Sequence, residues 1–292
     1  MSSIEDFKDI LKHSEPLAKY SWFKIGGPAQ FFLEPRNADE LQAVVKCCAE
    51  NEIPVRVFGG GSNILIKDSG VQGAVIRIND QEFAQISIEG TTVTSGAGAL
   101  LSNLVSQTVK EGLAGLEGLV GIPGTVGGAL HGNAGGHNGD IGQFAKSVSV
   151  LTARGEKFVR TADELSFSYR ESSINELAIL EATFELQQAD ADELTERMKK
   201  NWIMKKANQP LTHQSAGCIF KNPRGMHAGA LIEQAGLKGT RIGGAEISDR
   251  HANFIINDES ATTENVLDLI NLAQNTVSEK FGVDLELEIE LW

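Results

Sequence analysis

Three short stretches of the chain carry side chains suited to chemistry. Ser215-Ala216-Gly217-Cys218-Ile219-Phe220-Lys221-Asn222-Pro223 sets a thiol directly after a glycine, with an ammonium and an amide close behind. Tyr169-Arg170-Glu171-Ser172 places a guanidinium among hydroxyls in a segment that reads as loop, where it can grip a carboxylate through two parallel hydrogen bonds. Near the C-terminus Leu285, Leu287, Ile289 and Leu291 alternate with Glu286, Glu288 and Glu290, so a strand here puts the carboxylates on one face. A carboxyl such as Glu288 becomes an acid catalyst when burial makes it hold its proton. Each stretch also has a plain reading: a buried structural cysteine, a surface salt bridge, a solvated acidic face.

Two glycine-rich segments suit a ligand rather than a reaction. Gly59-Gly60-Gly61-Ser62-Asn63 follows a strand pattern, and its glycines let backbone N–H groups converge on an anion; a tight strand connection explains it equally well. In Gly121-Ile122-Pro123-Gly124-Thr125-Val126-Gly127-Gly128-Ala129, the proline fixes one backbone angle while four glycines free their neighbours, as close wrapping of a ligand requires. Two such loops favour a dinucleotide. Neither is the nicotinamide fingerprint, and Gly96-Ala97-Gly98-Ala99-Leu100-Leu101 lacks its third glycine. No P-loop, His-Glu-x-x-His or Gly-x-Ser-x-Gly sequence occurs. His131 and His137, flanking Asn133-Ala134-Gly135-Gly136, read as loop polar groups, and no metal site is expected.

At about 150 residues per domain, the 292 residues that must position these groups make about two domains. A formal net charge of −13 disfavours nucleic-acid binding but leaves room for a small phosphorylated ligand held by backbone amides. No apolar run approaches the roughly 18 residues of a membrane span, and the N-terminus lacks a secretory pattern, so a cytoplasmic protein is expected. Cys47, Cys48 and Cys218 are an odd number without metal spacing and are expected to be free thiols. Of the 31 glycines, twenty lie between Gly59 and Gly142, marking one region rich in unusual backbone angles.

An N-terminal helical segment is expected over 1–19. A helix with an Asn37 N-cap and a Glu40 capping-box partner should run to about Asn51, followed by strands at 54–58, 64–66, 74–78 and 92–94. Leu101, Leu104, Val105 and Val109 predict a helix ending near Gly112. Strands at 147–151 and 157–160 should form a hairpin through Arg154-Gly155, with another strand at 178–186. Asp190 to Asn208 reads as a charged helix beside a domain boundary near residue 200. Beyond it the pattern predicts a helix at 227–235, a strand at 252–256, a helix at 262–281 closed by Gly282, and a last strand from Asp284.

From about Tyr20 onward, the ordered motifs Ser21-Trp22-Phe23-Lys24-Ile25-Gly26-Gly27-Pro28, Phe58 to Leu65, Gly121 to Ala129, Asn133-Ala134-Gly135, Tyr169-Arg170, Ser215 to Pro223 and Leu285 to Ile289 resemble the UDP-N-acetylenolpyruvoylglucosamine reductase family. The resemblance implies an α+β protein. An FAD-binding domain of the vanillyl-alcohol-oxidase type, made of two α/β subdomains, would span 20–200, and a substrate-binding domain 201–292. It implies non-covalent FAD held by Phe58, Gly59, Gly60, Gly61, Ser62, Asn63, Gly121, Ile122, Pro123, Gly124, Thr125, Gly127, Gly128, Ala129, Asn133 and Gly135. NADPH would be the hydride donor and UDP-N-acetylglucosamine enolpyruvate the substrate, in a cytoplasmic monomer of peptidoglycan precursor synthesis.

By the same matches Arg170 would bind the substrate carboxylate, Glu288 would assist as a hydrogen-bonding acid and Cys218 would give the proton. Tyr169, Lys206, Asn222 and His251 would contact the substrate, His251 at a place where glutamine also occurs. Cys218 departs from the family, which commonly carries serine there; His131-Gly132 and Gly136-His137 depart around the flavin loop. The short stretch from Tyr169 to Gln209 resembles the family's shorter, second type. Two rival readings are another flavin oxidoreductase on the same FAD fold and a flavin-binding protein whose catalysis has decayed.

Overall fold

In the computed structural model, which describes residues 3–136, 139–258 and 260–292, helix α1 (Ala38–Glu50) starts where the Asn37 side chain accepts the Glu40 N–H. Leu41, Val44, Val45 and Cys48 recur at helical spacing and are buried. Glu40 does not close the expected capping box. Its carboxylate turns back to take the backbone N–H and the guanidinium of Arg36, because charge-assisted bonds outcompete one to a neutral amide.

The chain divides into two units. The first comprises Met1–Ser14, Gln30–Gly60 and Gln72–Met204; the second comprises Glu15–Ala29, Gly61–Val71 and Lys205–Trp292. In the first unit α1 covers a four-stranded sheet with the order Leu11–Pro16, Pro28–Leu33, Val71–Arg77, Val55–Phe58. Leu33, Val44, Cys48 and Ile76 close this core. The expected N-terminal helical segment is a correction: only a single 3-10 turn forms, at Ile4–Phe7, and Leu11–Pro16 is an edge strand. Leu11–Pro16 takes its backbone partners from the neighbouring strand Pro28–Leu33, a pairing that local helical spacing does not register.

A second core in the same unit lies under a five-stranded antiparallel sheet ordered Lys157–Thr161, Ala145–Leu151, Ala178–Glu185, Thr92–Gly96, Ile86–Glu89. Ser147 pairs with Thr161 and Leu151 with Lys157, and the hairpin closes through Gly155 at φ +76°. Helices α2 (Leu101–Lys110) and α3 (Val126–His131) bring Leu104, Val105, Val126 and Leu130 against Val148, Val150 and Phe184. Helix α4 (Ala191–Asn208) is polar along most of its surface. It buries Leu194, and Arg197 reaches the buried Glu117 carboxylate at 2.8 Å, whose other oxygen accepts the Gly115 N–H at 2.7 Å.

In the second unit α5 (Ala228–Gln234) and α6 (Thr263–Phe281) pack with a three-stranded sheet, Arg241–Ile242, Ala245–Ile247 and Ile255–Asn257. Thr262 and Asn265 form a capping box on α6, and Gly282 ends it at φ +66°. The strand expected at 252–256 begins only at Ile255, since the Asn253 side chain is turned to Phe220. The last strand is likewise shorter than its alternation suggests: only Glu290–Leu291 forms a ladder, parallel to Ile64–Leu65. The early segments are held in this unit by side chains. Asn257 Nδ2 donates to the Phe23 carbonyl at 2.7 Å, and Thr263 Oγ1 donates to the Ile66 carbonyl at 2.7 Å.

Candidate functional site

Within the first unit the strand Val55–Phe58 ends at buried Phe58 and delivers Gly59 and Gly60 to the second glycine loop. A Cβ on Gly60 would lie 2.6 Å from Gly124 Cα, and one on Gly59 would lie 2.8 Å from Thr125 Oγ1. The two loops therefore meet backbone to backbone, with Gly121 at φ +75° and Gly124 at φ +106° on either side of Ile122 and Pro123. A cradle that any side chain would fill fits a group as bulky as FAD, held through its phosphates by main-chain amides.

The first amides of α3 do not serve that cradle. Val126 N–H donates to Ala99, Gly127 N–H to Ala97 and Gly128 N–H to Thr125 Oγ1, which leaves the loops themselves to face a ligand. Ala129 is buried beneath them. Gly61, Ser62 and Asn63 belong to the second unit, where Gly61 has φ +65° and its carbonyl accepts the Trp22 N–H. There Asn63 Nδ2 donates to the Glu288 carbonyl at 3.0 Å, tying the end of the first glycine segment to the stretch just before the last strand.

Arg170 stands at the tip of a short hairpin in the first unit. Phe167–Ser168 pairs with Glu171–Ser172, and Tyr169-Arg170 make the two-residue turn with Arg170 at φ +60°. The guanidinium lies 5.4 Å from the Tyr169 ring centroid, and a Cβ on Gly135 would sit 3.1 Å from its Nη1. Gly135 thus clears space for Arg170. Asn133 is 1% exposed, and its carboxamide donates to the Ser168 carbonyl and accepts the Gly142 N–H. His137 lies outside the described residues.

The segments that carry Cys218 and Glu288 lie side by side in the second unit. Ile219 accepts the Glu288 N–H at 2.8 Å and Lys221 N–H donates to Glu286 at 2.9 Å, so the segments 219–221 and 286–288 run side by side around the Phe220–Leu287 bridge. On the other side Ile219 N–H donates to Asn253, and the Asn253 carboxamide holds both the N–H and the carbonyl of Phe220. Cys218 is a half-buried thiol outside any disulfide, preceded by Gly217 at φ +80°. Glu288 is half-buried while Glu286 and Glu290 are exposed, which separates it from an evenly solvated acidic face. Asn253 falls inside the strand expected at 252–256, where alternation gives a lone asparagine no distinguishing mark, and only the fold shows that it braces the thiol's segment.

Comparison with known proteins agrees with this arrangement. Residues 29–160 match an FAD binding domain, and residues 209–292 match the C-terminal domain of UDP-N-acetylenolpyruvoylglucosamine reductase. The UDP-N-acetylenolpyruvoylglucosamine reductase of Clostridium novyi is 41% identical over 293 residues, covering 100% of this chain and 94% of its own. This chain belongs to that reductase family. The crystal structure of the Thermus caldophilus reductase superposes with a TM-score of 0.83 at 37% identity, over 97% of this chain and 98% of its own. A single-substitution variant of Phl p 4, a glucose dehydrogenase, matches with a TM-score of 0.50 at 16% identity, over 64% of this chain and 44% of its own, and shares the fold alone. The α+β fold with a vanillyl-alcohol-oxidase type FAD domain stands on these matches.

Lys206, Asn222 and His251, assigned to substrate by resemblance to the reductases, all belong to the second unit; Tyr169 belongs to the first. Lys206 is exposed in the last turn of α4, and Asn222 Oδ1 accepts the Ala228 N–H at the start of α5. His251 Nδ1 accepts the Asn253 N–H at 3.3 Å, which puts the proton of the neutral ring on Nε2, a donor like the glutamine amide found at this place in other reductases. Burial lowers the His251 pKa from 6.5. Lys238 adds to the shift, while the residue's own backbone and Glu233 oppose it. Below pH 6.5 the unfolded chain therefore binds more protons at this residue than the folded one, and stability falls with acidification through the window beneath 6.5. Urea unfolding across that window should show a steeper loss for the native protein than for His251→Gln; equal slopes would refute the assignment. A cavity of about 810 Å³ on α4, lined by Arg197, Lys200, Asn201, Ile203 and Met204, contains none of the residues singled out above.

Proposed function

We propose that Arg170, Cys218 and Glu288 are the reacting groups of this reductase. The chain is an FAD-dependent oxidoreductase that reduces UDP-N-acetylglucosamine enolpyruvate to UDP-N-acetylmuramate with NADPH, in peptidoglycan precursor synthesis. The observation that carries the residue assignment is the hydrogen-bonded pairing of the Cys218-Ile219 segment with the segment bearing half-buried Glu288.

FAD held by the two glycine loops would supply the hydride chemistry, passing a hydride taken from NADPH to the terminal vinyl carbon of the substrate. The chain's own residues manage the charge and the proton. Arg170 grips the substrate carboxylate and offsets the negative charge that spreads into it as the enolate-like state develops. Cys218 delivers its Sγ proton to the carbon next to that carboxylate, completing the saturated lactyl ether, and its thiolate recovers a proton from solvent. Glu288 donates a hydrogen bond to the same developing charge. Gly59 to Asn63, Gly121 to Ala129 and Gly135 wrap the cofactor, and Tyr169, Lys206, Asn222 and His251 hold the nucleotide sugar.

The enzyme works as a monomer in the cytoplasm on this reading, without nucleic-acid or membrane partners. Three cysteines outside any disulfide suit a reducing compartment, and the net charge of −13 repels nucleic acid. The assignment is tested in single turnovers without oxygen. NADPH should bleach the flavin, and the enolpyruvyl substrate should restore its colour. In Arg170→Ala the second step should slow about 100-fold or more while the first persists. Undiminished recovery of colour would remove Arg170 from the chemistry.

A further inference from the structure

The turn that carries Arg170 is poorly suited to hold itself. It is a two-residue turn closing two-residue strands, a length that is marginal in isolation, and Arg170 occupies the left-handed region that glycine and asparagine prefer. Its own cross-links lie at the base, where Ser173 N–H donates to the Ser166 carbonyl and Ser173 Oγ accepts the Ser166 N–H.

Further support comes from the neighbouring residues 131–136 and 139–142. Gly142 seats the ring of Phe167, since a Cβ there would lie 2.2 Å from the ring. Ser172 Oγ donates to the His131 carbonyl at 2.8 Å. Between these two, Asn133 Nδ2 donates to the Ser168 carbonyl at 2.7 Å, while Asn133 Oδ1 accepts the Gly142 N–H at 3.1 Å. Ser168 is the last residue before the turn, so this bond orients the peptide that leads into Tyr169-Arg170. Asn133 is itself left-handed at φ +41°, and its side chain is almost wholly enclosed. Two residues on, Gly135 leaves the opening over which the Arg170 guanidinium lies.

We propose that Asn133 is a positioning residue for Arg170, aiming its guanidinium through the Ser168 carbonyl, and that its carboxamide serves this purpose instead of binding the flavin. This rests on the reading of Arg170 as the group that grips the substrate carboxylate. The amide is needed because one side of the site demands a donor and the other an acceptor, within a single enclosed side chain that tolerates a left-handed backbone.

Asn133→Asp keeps the shape, the backbone tolerance and the acceptor for Gly142, but sets an oxygen against the Ser168 carbonyl. Asn133→Gly keeps the left-handed backbone and removes both bonds, and gives a second route should the aspartate variant fail to fold. Flavin content, the rate of flavin reduction by NADPH and the rate of reoxidation by the enolpyruvyl substrate are measured for both. The expected result is full FAD occupancy, unchanged reduction by NADPH and reoxidation slowed about 10- to 100-fold, as for a misaimed catalytic group. In an Arg170→Ala background, Asn133→Asp should add no further slowing, because the residue acts only through Arg170. Loss of FAD, equal slowing of both steps, or an undiminished effect in the Arg170→Ala background overturns the positioning role alone. If Arg170→Ala by itself leaves reoxidation unchanged, the assignment of Arg170 falls and the positioning role with it.

Discussion

Replacing Cys218 with alanine is expected to slow reoxidation of the reduced flavin by the enolpyruvyl substrate about 10²–10⁴-fold, the usual worth of a positioned proton donor, while reduction by NADPH is spared. Only the second half-reaction needs a proton at carbon. The thiol is half-buried on a segment braced from both sides, by Asn253 and by the backbone of Glu286 to Glu288, so removing one sulfur atom leaves the backbone bonds in place. Cys218→Ser is the informative companion. A hydroxyl at this position should restore most of the activity, and the variant should lose the native enzyme's sensitivity to thiol oxidants. Stopped-flow absorbance of the flavin reads both half-reactions. Equal slowing of the two in Cys218→Ala would show that the residue supports the fold and does not donate the proton.

Gly60→Ala should empty the cofactor site. The added Cβ meets Gly124 Cα at 2.6 Å and Gly124 C at 3.2 Å, and neither is the flexible end of a side chain that can swing away. The two loops must separate, an overpacking cost of about 1–3 kcal/mol, which converts to roughly 10- to 100-fold weaker FAD binding if it falls on the holo state. The variant should purify colourless and regain activity when FAD is added in excess. Gly132→Ala is the control, because a Cβ there meets only the Gly128 carbonyl oxygen at 3.7 Å, an ordinary contact. It should keep its flavin. Equal FAD affinity for Gly60→Ala and the native protein would show that the Gly60–Gly124 approach does not shape the cradle.

Several elements were legible in the residues themselves because their causes are local. Helices α1 and α6 follow from caps and from apolar residues at helical spacing, α2 from the spacing alone, and Gly282 marks the end of α6 wherever the rest of the chain lies. The hairpin of Ala145–Leu151 with Lys157–Thr161 needs only alternation and a turn residue at Gly155. Both glycine loops are visible because glycine is selected by backbone angle and close approach, which are local demands.

What the residues did not disclose is long-range. The strand at Leu11–Pro16 forms where a sheet edge offers it partners, against a helical expectation. Ile64–Leu65 joins the second unit through parallel pairing with Glu290–Leu291, and a parallel partner more than two hundred residues away leaves no trace in local composition. Glu286, Glu288 and Glu290 are indistinguishable by alternation, and only their surroundings in the fold leave Glu288 half-buried and the other two exposed. Asn133 and Asn253 are two more polar residues to a pattern reader, yet each braces a segment that carries a reacting group. Residue types and order determined the chemistry available to this protein, the caps of its helices and the family it resembles. Tertiary structure alone decided which carboxylate, which amides and which backbone approaches are placed to use that chemistry, because hydrogen-bond partners and burial are properties of neighbours in space.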